Sequence, residues 1–465
     1  LFFFNRRLYL TILAFFFIWP TNSFSQTDEF DTNKLIPVVD LLLNESQAFS
    51  CPKVSTETTL TRATPLLLNS QSGIDALEGI TKIIGDVRFT SNLPFRYDIS
   101  ALQSLVEIDG NVTASAGVRT ASNDNGNGFN CLQTVTGDFE PPNSFDGRVY
   151  SEFKSLTTVG GNLGFSFSGI DNFSDLEPFK AVTSVDSLSL RLVSVRGISS
   201  DFLGSLTTIN SNLSITFFNM DEFPPISIFE SINSLQHLGI SGEPIPAFSN
   251  LTTAQSLTVV GAVDIPDTSL VALNTIRGNL TISLGLQGRS LTGFPSLTSV
   301  GGRLNIFNTN NLVEINGFPA LTTVGNNLDF MNLRGLEAIN GFESLESVGG
   351  LRVLNNSRNA DNLLLGGFPV LNFVNGNFII DSNPGLQAIT GFPSLSLVTG
   401  DLTIESNIGL ETITGFDSLT SDGIQGLTLI LNNILFDCTD PAPNFTPILT
   451  DNPFEVSMGN LVNCD

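Results

Sequence analysis

The sequence predicts a mostly β fold: a parallel β-helix, or solenoid, of about fifteen coils of about 24 residues, with a cap at each end. Three observations predict it. Gly-Phe recurs at Gly293-Phe294, Gly317-Phe318, Gly341-Phe342, Gly367-Phe368, Gly391-Phe392 and Gly415-Phe416, in steps of 24, 24, 26, 24 and 24 residues. Each copy carries a Leu-x-Ile pair, such as Leu304 and Ile306 or Leu402 and Ile404, whose period of two sends both side chains to one face of a short strand. The chain also has 38 Phe against 3 Tyr and 1 Trp. A repeating inward ring without a hydroxyl needs no polar partner, whereas an aromatic ligand surface draws on Tyr and Trp.

Taken in order, residues 1–25 read as a secretory signal. Arg6 and Arg7 form its charged start, residues 8–19 its apolar run, and Ser23-Phe24-Ser25 its cleavage positions. The apolar run is short for a bilayer span. Residues 26–73 read as a lead segment and N-terminal cap, because an open solenoid end exposes unpaired backbone and core. The solenoid follows over residues 74–436. The first inward strand residue of each coil is placed at Val87, Val112, Phe139, Leu163, Leu188, Leu213, Leu238, Leu257, Leu280, Leu304, Leu328, Leu351, Phe378, Leu402 and Leu427. The step into Leu257 is only 19, which predicts a shortened coil. Residues 115–130, rich in Asn, Asp and Gly, read as a loop inserted between coils, and residues 355–362 as a smaller insertion. Residues 437–465 break the pattern and read as a Cys-closed C-terminal cap.

Within one coil the apolar set is Val300, Leu304, Ile306, Leu312, Ile315, Phe318 and Leu321, and the next coil repeats it from Val324 to Leu345. Gly-Gly or Gly-Asn before the strand suits a corner. Asn383 and Asn407, five residues after the first inward position, suit an inward turn residue that bonds exposed backbone groups. A single coil buries too little to offset its own ordering, so coils must stack and share a core.

The four cysteines are Cys51, Cys131, Cys438 and Cys464. A secreted chain makes disulfides plausible. Stacking fifteen strands at about 4.8 Å puts the ends roughly 65 Å apart, whereas disulfide Cα atoms lie within about 7 Å. Cys438 is therefore expected to pair with Cys464, and Cys51 with Cys131.

The repeat G-x-L-x-I-x-x-N-x-x-L-x-x-I-x-G-F, over roughly residues 75–435, resembles the receptor L domain. That family holds the ligand-binding lobes of the insulin and epidermal growth factor receptors, with related repeats in fungal wall and bacterial secreted proteins. The resemblance implies a right-handed β-helix related to leucine-rich repeats, and a bias towards binding. Receptor L domains come in pairs around a Cys-rich module and precede a membrane span; this sequence shows neither, so signalling is not carried over.

The net charge of −25 leaves no basic footprint, which argues against nucleic acid and anionic membranes as partners. The outward face of the main strand is the natural binding surface. Arg303, Asn305 and Phe307, then Asp329 and Met331, then Arg352 share it, as a mixed apolar and charged patch of the kind interfaces use. Asp381 and Glu405 hold equivalent places on adjacent coils and Asp401 shares their face, an arrangement weighed for weak Ca²⁺ binding or glycosidase chemistry against two solvated charges. A Thr column (Thr157, Thr207, Thr298 and Thr322 among others) precedes the coil Val and reads as strand preference. His237 is the only histidine and reads as structural.

No phosphate loop, zinc spacing or dinucleotide fingerprint occurs. The sequence therefore points to a secreted or cell-surface, non-catalytic recognition or adhesion module, with no required cofactor, binding a protein or glycan on its strand face. A structural envelope or wall component and a polysaccharide-active β-helix enzyme are the alternatives.

Overall fold

The computed structural model describes residues 51, 57–90, 96–115, 119–120, 128–140, 153, 155–168, 179, 181–196, 203–220, 227–262, 264–358, 362–416, 418–419 and 424–430. These lie in one compact unit, Cys51–Asp465. The signal segment, the Cys438–Cys464 pair and the C-terminal cap fall outside the described residues.

The unit is a parallel β-solenoid. Every position named above as the first inward residue of a coil pairs with its successor, in an unbroken column from Val87 to Leu427. The shortened coil is real: Leu238 sits directly opposite Leu257 despite the 19-residue step. Stacking begins one rung earlier than the sequence pattern showed, because Leu66–Leu68 pairs with Val87–Phe89. That rung hides in residues 66–68, a Leu-Leu-Leu run with no alternation to reveal a strand. The loop expected over residues 115–130 also contains a short strand, Arg119–Thr120, which pairs with Arg96–Tyr97.

Each coil of the C-terminal half contributes three strand segments. One carries the coil Val, as in Ser299–Val300; the second carries Leu-x-Ile, as in Leu304–Phe307; the third is short, as in Glu314–Ile315. The third segments stack into their own six-stranded sheet. In several coils the first two merge into one long strand, as in Thr323–Met331, with a register irregularity between Val324 and Asn327 where the chain turns the corner. Glycine at that corner is a steric need. A Cβ on Gly301 would lie 2.2 Å from the Arg277 carbonyl oxygen of the coil below.

The core is a set of columns. Val, Leu, Ile and Phe of each coil are fully buried, Val300, Leu304, Ile306, Leu312, Ile315 and Phe318 among them. Phe294, Phe318, Phe342, Phe368, Phe392 and Phe416 form one stack, with centroids 5.1–5.4 Å apart and planes within 18° of parallel. The aromatic bias of the composition is thus a core feature.

Polar groups are satisfied by ladders. Asn356, Asn383 and Asn407 are buried. Each accepts from the backbone N–H of the preceding coil, at Leu333, Asn356 and Asn383, and each donates to a carbonyl of that coil's strand, at Phe330, Val353 and Ile380. The inward role expected of Asn383 and Asn407 holds, and Asn356 extends it into the segment read as an insertion. The Thr column forms a second ladder: the hydroxyls of Thr157, Thr207, Thr298 and Thr322 donate to the carbonyl of the equivalent residue one coil back, at 2.9–3.1 Å. Those hydroxyls serve the backbone.

At the N-terminal end Cys51 and Cys131 form a disulfide with Cα atoms 5.4 Å apart, as the stacking geometry required. It ties Cys51, across 80 residues, to the coil carrying Leu132 and Val135, which are fully buried.

Candidate functional site: the outward strand face

Parallel pairing turns the outward face into a grid. One column runs Asn305, Asp329, Arg352, Ile379, Thr403; the next runs Phe307, Met331, Leu354, Asp381, Glu405. Arg303 lies one step along the strand from Leu304, opposite in direction to Asn305. The six residues Arg303, Asn305, Phe307, Asp329, Met331 and Arg352 are therefore neighbours on three successive rungs.

Their packing differs from a simple exposed scatter. Asp329, expected at the surface, has no solvent exposure at all. Its carboxylate is sealed between the guanidinium of Arg303 from the rung before and that of Arg352 from the rung after; Arg352 Nε lies 2.9 Å from Asp329 Oδ1. Both guanidiniums also reach along the face, each with an Nη2 at 3.4–3.6 Å from Met331 Sδ. Phe307, Met331, Leu354 and Asn305 are half-buried. A buried carboxylate holding two arginines fixes their forks in place, so less conformational freedom is lost when they bind something else. One carboxylate against two guanidiniums leaves a local formal charge of about +1, on a chain whose net charge is −25.

The acidic residues lie further along the same face. Asp381 and Glu405 are register partners, as their equivalent places predicted. Asp401 is four residues before Glu405 on the same strand, about 13 Å away at 3.3 Å per residue. The three do not converge. Among the described residues no group of three His, Cys, Asp or Glu side chains is placed to hold a metal ion. The physical reason is the flat strand: register brings two carboxylates together, but nothing curls the third back. Asp381 instead accepts a hydrogen bond from Ser382 Oγ at 2.8 Å.

His237 is exposed, and its Nδ1 shares a hydrogen bond with Ser256 Oγ, the register partner on the next coil. A feature that the sequence pattern missed lies in the N-terminal half. There the outward columns shrink to Gly164, Ser189 and Ser214, beside Ser166, Arg191 and Thr216, and a depression of about 260 Å³ opens, bounded at one end by Glu140. Asn162 donates to Glu140 and accepts from Ser189, linking the rungs along it. Small residues carry no motif, so only the register could reveal this hollow.

No helix among the described residues is long and apolar enough to cross a membrane. No protein-family model matches the chain, and no curated protein is similar to it. The β-solenoid with its 24-residue repeat is consistent with the receptor-L-domain resemblance in fold.

Proposed function

We propose that the chain is a secreted or cell-surface recognition module of the receptor-L-domain kind, non-catalytic, that binds a protein or glycan on its outward strand face. The single observation carrying this is the Arg303–Asp329–Arg352 cluster. A fully buried carboxylate on the outer face of a sheet, clamped between two half-exposed arginines, is expensive to build for solubility alone. It is economical as a preorganised, charged platform beside the apolar Phe307, Met331 and Leu354. Arg, Met and aromatic side chains are what recognition surfaces concentrate. The Cys51–Cys131 disulfide supports an oxidising compartment, and the charged-then-apolar start of the chain supports export.

The test uses the chain from Gln26 onward, labelled, on intact cell surfaces and extracellular matrix. Saturable binding that falls at least tenfold in the double variant Asp329→Asn with Arg352→Gln, which removes both charges together, and in Phe307→Ala, with melting unchanged by more than a few degrees, supports the proposal. Binding that ignores both substitutions removes it. The uninterrupted Phe stack and Asn ladder favour a second role, a rigid spacer of an envelope or wall. That role predicts that Asp329→Asn with Arg352→Gln, and Phe307→Ala, leave the phenotype intact while Leu304→Asp destroys it.

A further inference from the structure

The same face carries both halves of a complementary pair. The guanidiniums of Arg303 and Arg352 gather at Met331, whereas Asp381 and Glu405 follow on the next rungs of the same column. Among the described residues neither acid has an ion-pair partner, and like charges in register repel each other. Between the two clusters lie Leu354 and Ile379, both half-buried. We infer that this face docks against the same face of a second copy of the chain, the two solenoids running antiparallel. The inference rests on the proposed role of the strand face and names its partner.

The register sets the geometry. A two-fold axis along the strands, between the rungs of Leu351 and Phe378, reverses rung order and keeps columns. It places Glu405 of one copy over Met331 of the other, where both arginines converge, and by symmetry the reverse contact forms as well. Beside the axis Leu354 faces Asp381 of the other copy and Arg352 faces its Ile379, which sets each Arg352 one column, about 7 Å along the strand, from an Asp381 of the other copy. Asp329 is opposite Thr403 and stays sealed, holding the arginines for the incoming acid.

The area limits the affinity. Four rungs at about 4.8 Å and five residues at about 3.3 Å give about 300 Å² per copy, well under half of the roughly 800 Å² per partner of a standard interface. A single contact is weak, and rows of copies on a surface strengthen it through effective concentration. Two copies of charge −25 also repel at long range. That repulsion is screened beyond about 8 Å at physiological salt, so association strengthens as salt rises from low to physiological levels.

The experiment is sedimentation velocity on the chain from Gln26 onward, from low-micromolar to millimolar concentration. A monomer–dimer equilibrium is expected. Glu405→Arg, at a half-exposed position, weakens it at least tenfold without changing the melting profile. Adding Met331→Glu to Glu405→Arg restores it, because the new acid then meets the introduced arginine of the partner. A strictly monomeric chain at millimolar concentration overturns the inference, as does a dimer indifferent to Glu405→Arg or one that Met331→Glu does not rescue. If self-association is absent but Phe307→Ala still abolishes cell-surface binding, the homophilic partner is wrong and the strand-face role survives.

Discussion

Replacing Asn383 by Ala is expected to destabilise the C-terminal coils far more than removing a side chain of that size elsewhere. Asn383 has no solvent exposure. Its Oδ1 accepts from the Asn356 N–H at 2.9 Å, and its Nδ2 donates to the Val353 carbonyl at 2.9 Å, to the Asp381 carbonyl at 3.0 Å and to Asn407 Oδ1 at 3.0 Å. Alanine leaves the Asn356 N–H buried without a partner, while the Val353 carbonyl keeps its place in the strand ladder. That orphan costs about 1–3 kcal/mol. Asn407 Oδ1 is spared, because it still accepts from the Asn383 N–H at 3.0 Å. Because each coil contacts only its neighbours, the loss is local, and a global melting curve understates it. Hydrogen exchange of the backbone amides of Leu333, Asn356 and Asn383 is the direct assay. Protection should fall by about one to two orders of magnitude around Asn356, from the same energy at about 1.4 kcal/mol per tenfold, and stay near wild type around Leu238. A fall of less than about threefold, or one spread evenly over the chain, would show that the ladder does not support the turn.

Further outcomes follow from the same contacts. Phe342, stacked at 5.2 Å on both Phe318 and Phe368, is fully buried, so Phe342→Ala costs about 3–5 kcal/mol in urea unfolding and Phe342→Leu distinctly less. Opening the Cys51–Cys131 disulfide with Cys131→Ser costs about 2–4 kcal/mol, and exchange should locate the loss in the first coils, around Ile83 and Ile108. The hydrogen bond and charge of Glu107, 3.0 Å from Lys82 Nζ, raise the Lys82 ammonium above its ordinary 10.5, with desolvation pulling the other way. Its stabilising contribution is complete below the ordinary value and is lost as pH rises through the raised one; NMR titration of Lys82 should show this upward shift, and Glu107→Gln should reduce it, Glu57 and Asp109 still pulling upward.

Much of the fold was legible in the sequence because a stacked core repeats its requirements. The recurring inward residue named the rungs back to Val87, the short 19-residue coil into Leu257 included, because each rung must set an apolar side chain over the one before it. The first rung escaped because Leu66, Leu67 and Leu68 show no alternation. For the site, period two correctly placed Arg303, Asn305, Phe307, Asp329, Met331 and Arg352 on one face. It could not show that Asp329 is sealed, because that depends on how two long arginine side chains fold across the rungs. Nor could a column of equivalent positions bring Asp401 to Asp381 and Glu405, since register acts across rungs and leaves distance along a strand untouched. The hollow near Glu140 escaped for a third reason: it is made of small side chains.

All the coils share a single stack in one register, and paired cysteines test that most directly. Ile379 and Thr403 face outward as register partners, about 4.8 Å apart across parallel strands and within disulfide range. A one-residue slip would turn every side chain to the other face. The variant Ile379→Cys with Thr403→Cys should therefore oxidise to an intramolecular disulfide seen by peptide mapping, while Ile379→Cys with Ile404→Cys should not. The opposite pattern, or no bond in either, would contradict the stack.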